Sequence, residues 1–395
     1  MILTLKLSVI MINYISRTKI VLLTAVFFII LGLIHGSAQN EYQFEEIKRL
    51  PATSVKNQGK TGTCWTFSTL SLIESELLRK GKDPYNLSEM FIVRQSYLDR
   101  AELFVRFHGH LNFGPGAQAW DVINVLDDDG IVPQKAFPGL KINDEMHSHG
   151  EMDRVLKGYM ESVIQTEGDK LSLVWHKGFN GILNAYLGKY PKRFDFEGKT
   201  YTPVTFFEKL EIEPQNYVSV TSFKNHKYYS DYVFESPDNW SMESIYNVPL
   251  DKFIELINQA IMKGYTVAWA ADVTNPGFNH SKGLAVVPEK NWDDMDETEK
   301  QKVFHSPVEQ KAITEEMRLE AFNNYGTTDD HLMHIVGKAK DQNGNSYFIV
   351  KNSWGTTNPY DGYLYVSEAY VKYRTTSILL NKKAFSDDLN NKLEL

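Results

Sequence analysis

A single cysteine, Cys64, stands in a chain of 395 residues. No disulfide can form within such a chain, so its fold must be held together by a hydrophobic core. The length is enough for one two-lobed domain or two modest ones. Composition agrees with a globular protein, at 42% hydrophobic and 23% charged residues. The lone thiol is then either an apolar filler or a reactive group.

The N-terminus reads as an address. Arg17 and Lys19 precede an unbroken apolar run, IVLLTAVFFIILGLI at 20–34, and small residues follow at Gly36, Ser37 and Ala38. That layout is expected of a signal peptide over residues 1–38, cleaved after Ala38, with export to the periplasm or the medium. The layout is already complete from Met11 onward, and no cysteine is present there to carry a lipid. The run is shorter than the roughly 20 residues that span a bilayer. A retained membrane anchor is the alternative. The net charge of -8 argues against nucleic acid as the main partner, because phosphate binding needs a basic surface.

Along the rest of the chain there is neither an internal repeat nor a low-complexity tract. Residues 40–55 read as a mixed lead-in. From Trp65 to Lys80, Phe67, Leu70, Ile73, Leu77 and Leu78 recur at helical spacing, with Gly81 as the stop. Ser88 reads as the cap of a second helix and Trp120 opens a third, after a Gly/Pro loop at 113–116. Residues 144–190 look helical, 194–201 form a hairpin around Gly198, and 218–223 read as a strand. Leu250 to Lys263 is an amphipathic helix closed by Gly264. Strand signals then dominate, at TVAWAADV, HIVGKAKD, SYFIVKNSW and GYLYVS, with Asn343-Gly344 as a hairpin turn. The acidic run 293–316 reads as a solvated helix or loop. The first third is therefore mainly helical and the last third mainly strand, an α+β chain.

Cys64 lies in NQGKTGTCWTFS, where a Gly-rich loop gives way to the first helical pattern. A helix N-terminus lowers a thiol pKa, and its free N–H groups can stabilise an oxyanion. Gln58 can aim its amide at the same oxygen. Downstream, DDHLMHIVG opens one strand-like stretch and KNSWG ends the next, so a hairpin brings His331 and Asn352 together. An Asn carbonyl can fix the orientation and tautomer of an imidazole without burying another charge, and Trp354 could shield that contact. Cys at a helix start with distant His and Asn on paired strands is a nucleophile constellation.

QGKTGTCWTFS, DHLMHIVG and NSWG resemble the Cys, His and Asn motifs of papain-like cysteine peptidases, in the same chain order. DDGIVPQKAFPG, GKYPKRFDFEGKTYTP and LNKKAF resemble the bleomycin hydrolase and aminopeptidase C branch of that clan. The resemblance implies a papain-like two-lobed α+β fold, with a helical lobe carrying the Cys helix and a β-barrel-like lobe. It divides residues 39–395 into a helical lobe at about 50–140, a branch-specific elaboration at 141–247, a mainly β lobe at 248–385 and a tail at 386–395. It makes Cys64 the nucleophile, His331 the base and then the acid, Asn352 the orienter, and Gln58 an oxyanion donor beside the Cys64 N–H. His331 is preferred to His334 because Gly337 then stands where the family has a glycine. Gly114 and Gly116 would be the glycine wall that pairs with substrate backbone. Peptide or protein substrates, no cofactor and a homo-oligomer are the further expectations. Cys64 follows Ala38 too closely for a long inhibitory propeptide, as in that branch. The branch also places a C-terminal arm in the cleft to hold the substrate amine, and nothing in FSDDLNNKLEL resembles it beyond LNKKAF. Aminopeptidase and endopeptidase modes both stay open.

Three other readings compete. His108 with His110, His147 with His149 and His331 with His334 are close pairs, but no HExxH and no further thiol complete a metal site. The same triad can pass an acyl group to an amine instead of water. A silent binding protein on this fold is the third reading; replacement of Cys64, His331 or Asn352 would favour it, and all three are present.

Overall fold

The structure, a computed structural model, describes residues 41–140, 146–165 and 170–395. The N-terminal address lies outside these residues. Among the described residues no helix is long and apolar enough to cross a membrane.

The first strand, β1 (Phe44–Arg49), is followed by three helices, α1 (Cys64–Arg79), α2 (Glu89–Arg106) and α3 (Ala119–Asp128). Helix α1 is buried on every side from Cys64 to Leu77, as expected of a central helix rather than a surface one. Ser88 caps α2, its side chain accepting from the Phe91 N–H at 3.1 Å. Gly81 follows α1 at a φ of +76°, the left-handed turn that stops a helix. The segment read as continuously helical is two helices, α4 (Gly150–Ile164) and α5 (Trp175–Tyr186). Strands β2 (Phe194–Phe196) and β3 (Lys199–Tyr201) form a separate hairpin whose turn residues, Glu197 and Gly198, both have positive φ. Then come α6 (Pro203–Leu210), β4 (Tyr217–Thr221), β5 (Ser230–Val233), β6 (Ser244–Asn247) and α7 (Leu250–Lys263). Past it lie β7 (Val267–Ala271), β8 (Phe278–Asn279), β9 (Leu284–Ala285), α8 (Glu297–Val303) and α9 (Glu315–Asn323). The chain closes with β10 (His331–Asp341), β11 (Ser346–Lys351), β12 (Tyr363–Ser367), α10 (Glu368–Arg374), β13 (Thr375–Asn381) and α11 (Asp387–Leu393).

Eleven strands form one mixed sheet in the order β5-β6-β4-β13-β7-β10-β11-β12-β9-β8, with β1 pairing the far half of β10. The sheet is open and does not close into a barrel. Period-2 alternation on β7 sorts two cores: Ala268 and Ala270 join the helical core, while Val267, Trp269 and Ala271 join the core under α7. Strand β10 sorts likewise, with Leu332 facing the helices and Met333 and Ile335 facing α7. Helix α1 lies on the first face, tied to β10 by Ser68 Oγ donating to the Met333 carbonyl at 2.6 Å. Behind it, Lys56 bridges the buried carboxylates of Glu89 at 2.6 Å and Glu74 at 3.2 Å. Between β10 and β11 only Gly344 of the Asn-Gly pair takes positive φ, and Asp341 Oδ1 closes the turn by accepting from the Asn343 and Asn345 N–H groups.

The tail does not approach the face that carries Cys64. Leu389 and Leu393 of α11 are buried in the core under α7.

Candidate active site

Cys64 is the first residue of α1, and no acidic side chain stands in that first turn. A thiolate there meets free N–H groups and the positive end of the helix with no carboxylate in its own turn to oppose it. Its Sγ lies 3.5 Å from the Leu332 N–H, so the thiol sits against the residue that follows His331. Cys64 and His331 both line one cleft of about 600 Å³. Both are nearly buried, at 8% and 3% exposure.

His331 Nε2 donates to Asn352 Oδ1 at 2.8 Å. Asn352 Oδ1 also accepts the Ser353 N–H at 2.7 Å, and Asn352 Nδ2 donates to His280 Nδ1 at 3.2 Å. The amide orientation is thereby fixed from two sides, which leaves His331 Nδ1 as the free base. Trp354 stacks over His331 with ring centres 4.6 Å apart and covers the contact. The strand hairpin carries the rest: β10 begins at His331, and Asn352 directly follows β11. His334, three residues along β10, points elsewhere, its Nδ1 bonded to Ser71 of α1 at 2.9 Å.

Gln58 is held at both ends of its amide. Oε1 accepts from Ser353 Oγ at 2.6 Å, and Nε2 donates to the Thr61 carbonyl at 2.8 Å. One amide N–H remains for the cleft that Gln58 lines. Gly116 also lines this cleft, whereas Gly114 does not, and both carbonyls accept from the buried guanidinium of Arg100. His108 and His110 are exposed, and no group of three His, Cys, Asp or Glu among the described residues could hold a metal ion.

Burial pushes the Cys64 thiol up to about 12, against the pull of the Leu332 and Trp65 N–H groups, and Asp238 and Asp329 push it further the same way. Burial drives His331 down to about 4, partly offset by the Asn352 hydrogen bond. Burial thus favours the neutral form of each group alone, and proton transfer from Cys64 to His331 charges the two together.

Several participants escaped the sequence. His280 stands 72 positions before Asn352 in a segment without a motif, yet it closes the Asn352 amide and packs edge-on against Trp354 at 5.0 Å. Ser353 was visible in NSWG, but its grip on Gln58 was not. Asp238, on the wall of the cleft, has no local pattern to announce it.

A helix-borne thiol facing a His–Asn pair across a cleft, on this α+β frame, defines a cysteine peptidase of papain-like fold. Comparison with known proteins carries this to the family. The model of the Peptidase C1-like family matches residues 114–395, and that of the papain family cysteine proteases matches residues 41–138. The chain belongs to the Peptidase C1-like family. It is 23% identical to aminopeptidase G of Lactobacillus delbrueckii subsp. lactis over 86% of this chain and 83% of that one. Against bleomycin hydrolase of Mus musculus the identity is 24%, over 90% and 86% of the two chains. Against aminopeptidase C of Lactococcus lactis subsp. cremoris it is 25%, over 85% and 82%. The crystal structure of PepW from Lactobacillus rhamnosis superposes with a TM-score of 0.70 at 18% identity, covering 91% of this chain and 88% of that one. That likeness is one of fold.

Proposed function

We propose that this cysteine peptidase cleaves peptide bonds through a thioester on Cys64. His331 Nδ1 takes the thiol proton as Sγ attacks the scissile carbonyl carbon, and a C–S bond forms. The developing oxyanion is met by the Cys64 N–H and the remaining Gln58 amide proton. His331 then gives its proton to the leaving nitrogen as the C–N bond breaks. Water, deprotonated by the same imidazole, releases the acid and restores the thiol. Asn352 orients His331, Gly116 belongs to the wall along which substrate backbone lies, and the substrates are peptides or proteins. The observation that carries this reading is the 2.8 Å His331–Asn352 contact in the cleft that holds Cys64. Export through the 1–38 segment places the reaction outside the cytoplasm, and homo-oligomeric assembly is part of the same proposal.

An epoxysuccinyl thiol-protease inhibitor tests the chemistry. Stoichiometric labelling of the native chain and none of Cys64→Ala is the expected result, and an unlabelled native chain under reducing conditions would falsify it. N-terminal sequencing of the protein recovered from its producing cells tests the leader, for which a start at Gln39 is expected. Gel filtration tests assembly, and a monomeric elution volume would remove it.

A further inference from the structure

The cleft that holds Cys64 carries charge of one sign. Among the described residues its walls include Asp238, Asp329 and Asp330, and neither lysine nor arginine. The three carboxylates are not equivalent. Asp329 accepts from Thr376 Oγ1 at 2.8 Å, from Ser236 Oγ at 2.7 Å and from the Gln118 amide, so its oxygens are taken up in holding three segments together. Asp330 accepts from Thr328 Oγ1 at 2.7 Å and from the Val273 N–H at 3.4 Å, and it is exposed. Asp238 is half-buried. Its Oδ1 accepts from Asn112 Nδ2 at 3.1 Å, and its Oδ2 takes no hydrogen bond among the described residues. That oxygen is open to the cleft and able to accept from a ligand.

Its position gives that oxygen a use. A Cβ added to Gly116 would lie 2.1 Å from Asp238 Oδ2, so the carboxylate rests directly on the backbone of the cleft wall. Beneath that wall Arg100, 2% exposed, donates to the Gly114 and Gly116 carbonyls, so its hydrogen bonds go to the wall and not to Asp238. Burial and the neighbouring Asp329 raise Asp238 to about 6, while Arg100 acts the other way, which leaves it mostly ionised at neutral pH. A substrate lying along Gly116 toward Cys64 therefore meets an anion with an open acceptor.

We infer that Asp238, backed by Asp329, receives an ammonium group of the substrate and so selects cationic over neutral peptides at the Cys64 cleft. This rests on the reading of Cys64 as the nucleophile. Two sources supply such a group, the N-terminal amine of a peptide and the side chain of a lysine. With the tail packed under α7, no carboxylate from α11 stands in the cleft to do the same work.

Three amides with one fluorogenic leaving group separate the sources: alanine with a free amine, N-acetyl-alanine and N-acetyl-lysine. A cationic substrate is expected to show kcat/KM about tenfold or more above N-acetyl-alanine, mostly through KM, as for a charge-assisted hydrogen bond. Preference for free alanine assigns the N-terminal amine; preference for N-acetyl-lysine assigns the side chain. Asp238→Asn is expected to bring that ratio down toward one. Equal kcat/KM on all three substrates, or a variant that loses all three in equal proportion, overturns the assignment. Should the variant not fold, the wild-type preference must shrink as salt rises from about 0.05 to 0.5 M, because a partly exposed ion pair is screened; a salt-independent ratio also overturns it. Epoxysuccinyl labelling of the wild type keeps the two readings apart. A labelled enzyme without cationic preference refutes only the role of Asp238, whereas no labelling and no turnover refutes both.

Discussion

Asn352→Ala tests the geometry of the site most directly. The substitution removes the acceptor 2.8 Å from His331 Nε2 while Trp354 still covers the ring. In the acylation step the imidazole carries the thiol proton, so the lost contact is one from a charged donor, worth about 1.5–3 kcal/mol. Converted to rate, that is a fall of about 10- to 150-fold in kcat. Binding is untouched by this contact, so KM should change little. The variant also strips the buried Ser353 N–H of its partner, at about 1–3 kcal/mol of stability, and releases the half-buried His280 Nδ1. A denaturant titration must therefore confirm that the variant is folded under assay conditions. Steady-state kinetics then give kcat and KM separately, and the pH profile of the alkylation rate of the free enzyme reports how the coupled thiol and imidazole titrate. Asn352→Asp is the companion variant. It restores an acceptor to Nε2 and places an anion beside the ring, so it should recover much of kcat while raising the His331 pKa. A folded Asn352→Ala enzyme with kcat within about twofold of wild type would refute the orienting role, since the calculated loss is several times larger.

Other consequences follow from single contacts. Ser353→Ala frees Gln58 Oε1 from its 2.6 Å donor, and loss of the aimed oxyanion donor should lower kcat about tenfold with KM steady; a change confined to KM would argue against it. Gly59 stands at φ +67° with His147 O 2.3 Å from where a Cβ would be, so Gly59→Ala should cost about 2 kcal/mol or more in a denaturant titration and depress kcat by shifting the Gln58 loop. His149 is buried with no hydrogen-bond partner for either ring nitrogen among the described residues, and burial followed by His147 lowers its pKa to about 4. Its folded pKa lies below its unfolded value of about 6.5, so the unfolded chain binds more protons in that window, and stability is lost as pH falls from about 6.5 toward 4. The shift corresponds to about 3 kcal/mol as an order of magnitude, and a His149→Gln variant should lose less stability than wild type across that range; parallel pH curves for the two proteins would count against the assignment.

The parts of this molecule that the sequence exposed are those written into contiguous residues. Helix α1 shows because its apolar positions repeat at helical spacing between a Gly-rich loop and Gly81. Leu250 to Lys263 shows for the same reason. His331 and Asn352 were placed together because two strand-like stretches with a turn between them can pair in only one sense. Strand β1, FEEIKR, did not show, since its two apolar residues, Phe44 and Ile47, fall on opposite faces; it joins the sheet by pairing Phe44 with Asp341 and Arg49 with Gly337 and by stacking Phe44 on Tyr365, none of which leaves a local pattern. The clear strand signal of β10 begins at His334, while the three residues before it, next to the acidic pair Asp329 and Asp330, also pair with β7. The open sheet was not legible either, since closure depends on strands far apart in the chain. His280 and Asp238 reach the cleft through long-range contacts that leave no local trace.

The electrostatics of the cleft tie these pieces together. Burial disfavours a lone thiolate on Cys64 and a lone imidazolium on His331. The charged state in which neither is isolated is the pair of both, so proton transfer between them is the only inexpensive way to arm the nucleophile. Asp238 and Asp329 oppose the thiolate half of that pair. On the assignment of Asp238 as the ammonium receptor, an arriving cation offsets those carboxylates, and the penalty on the thiolate falls when substrate is in place. The carboxylate wall that selects the substrate thereby also links the reactivity of the single cysteine to occupancy of its site.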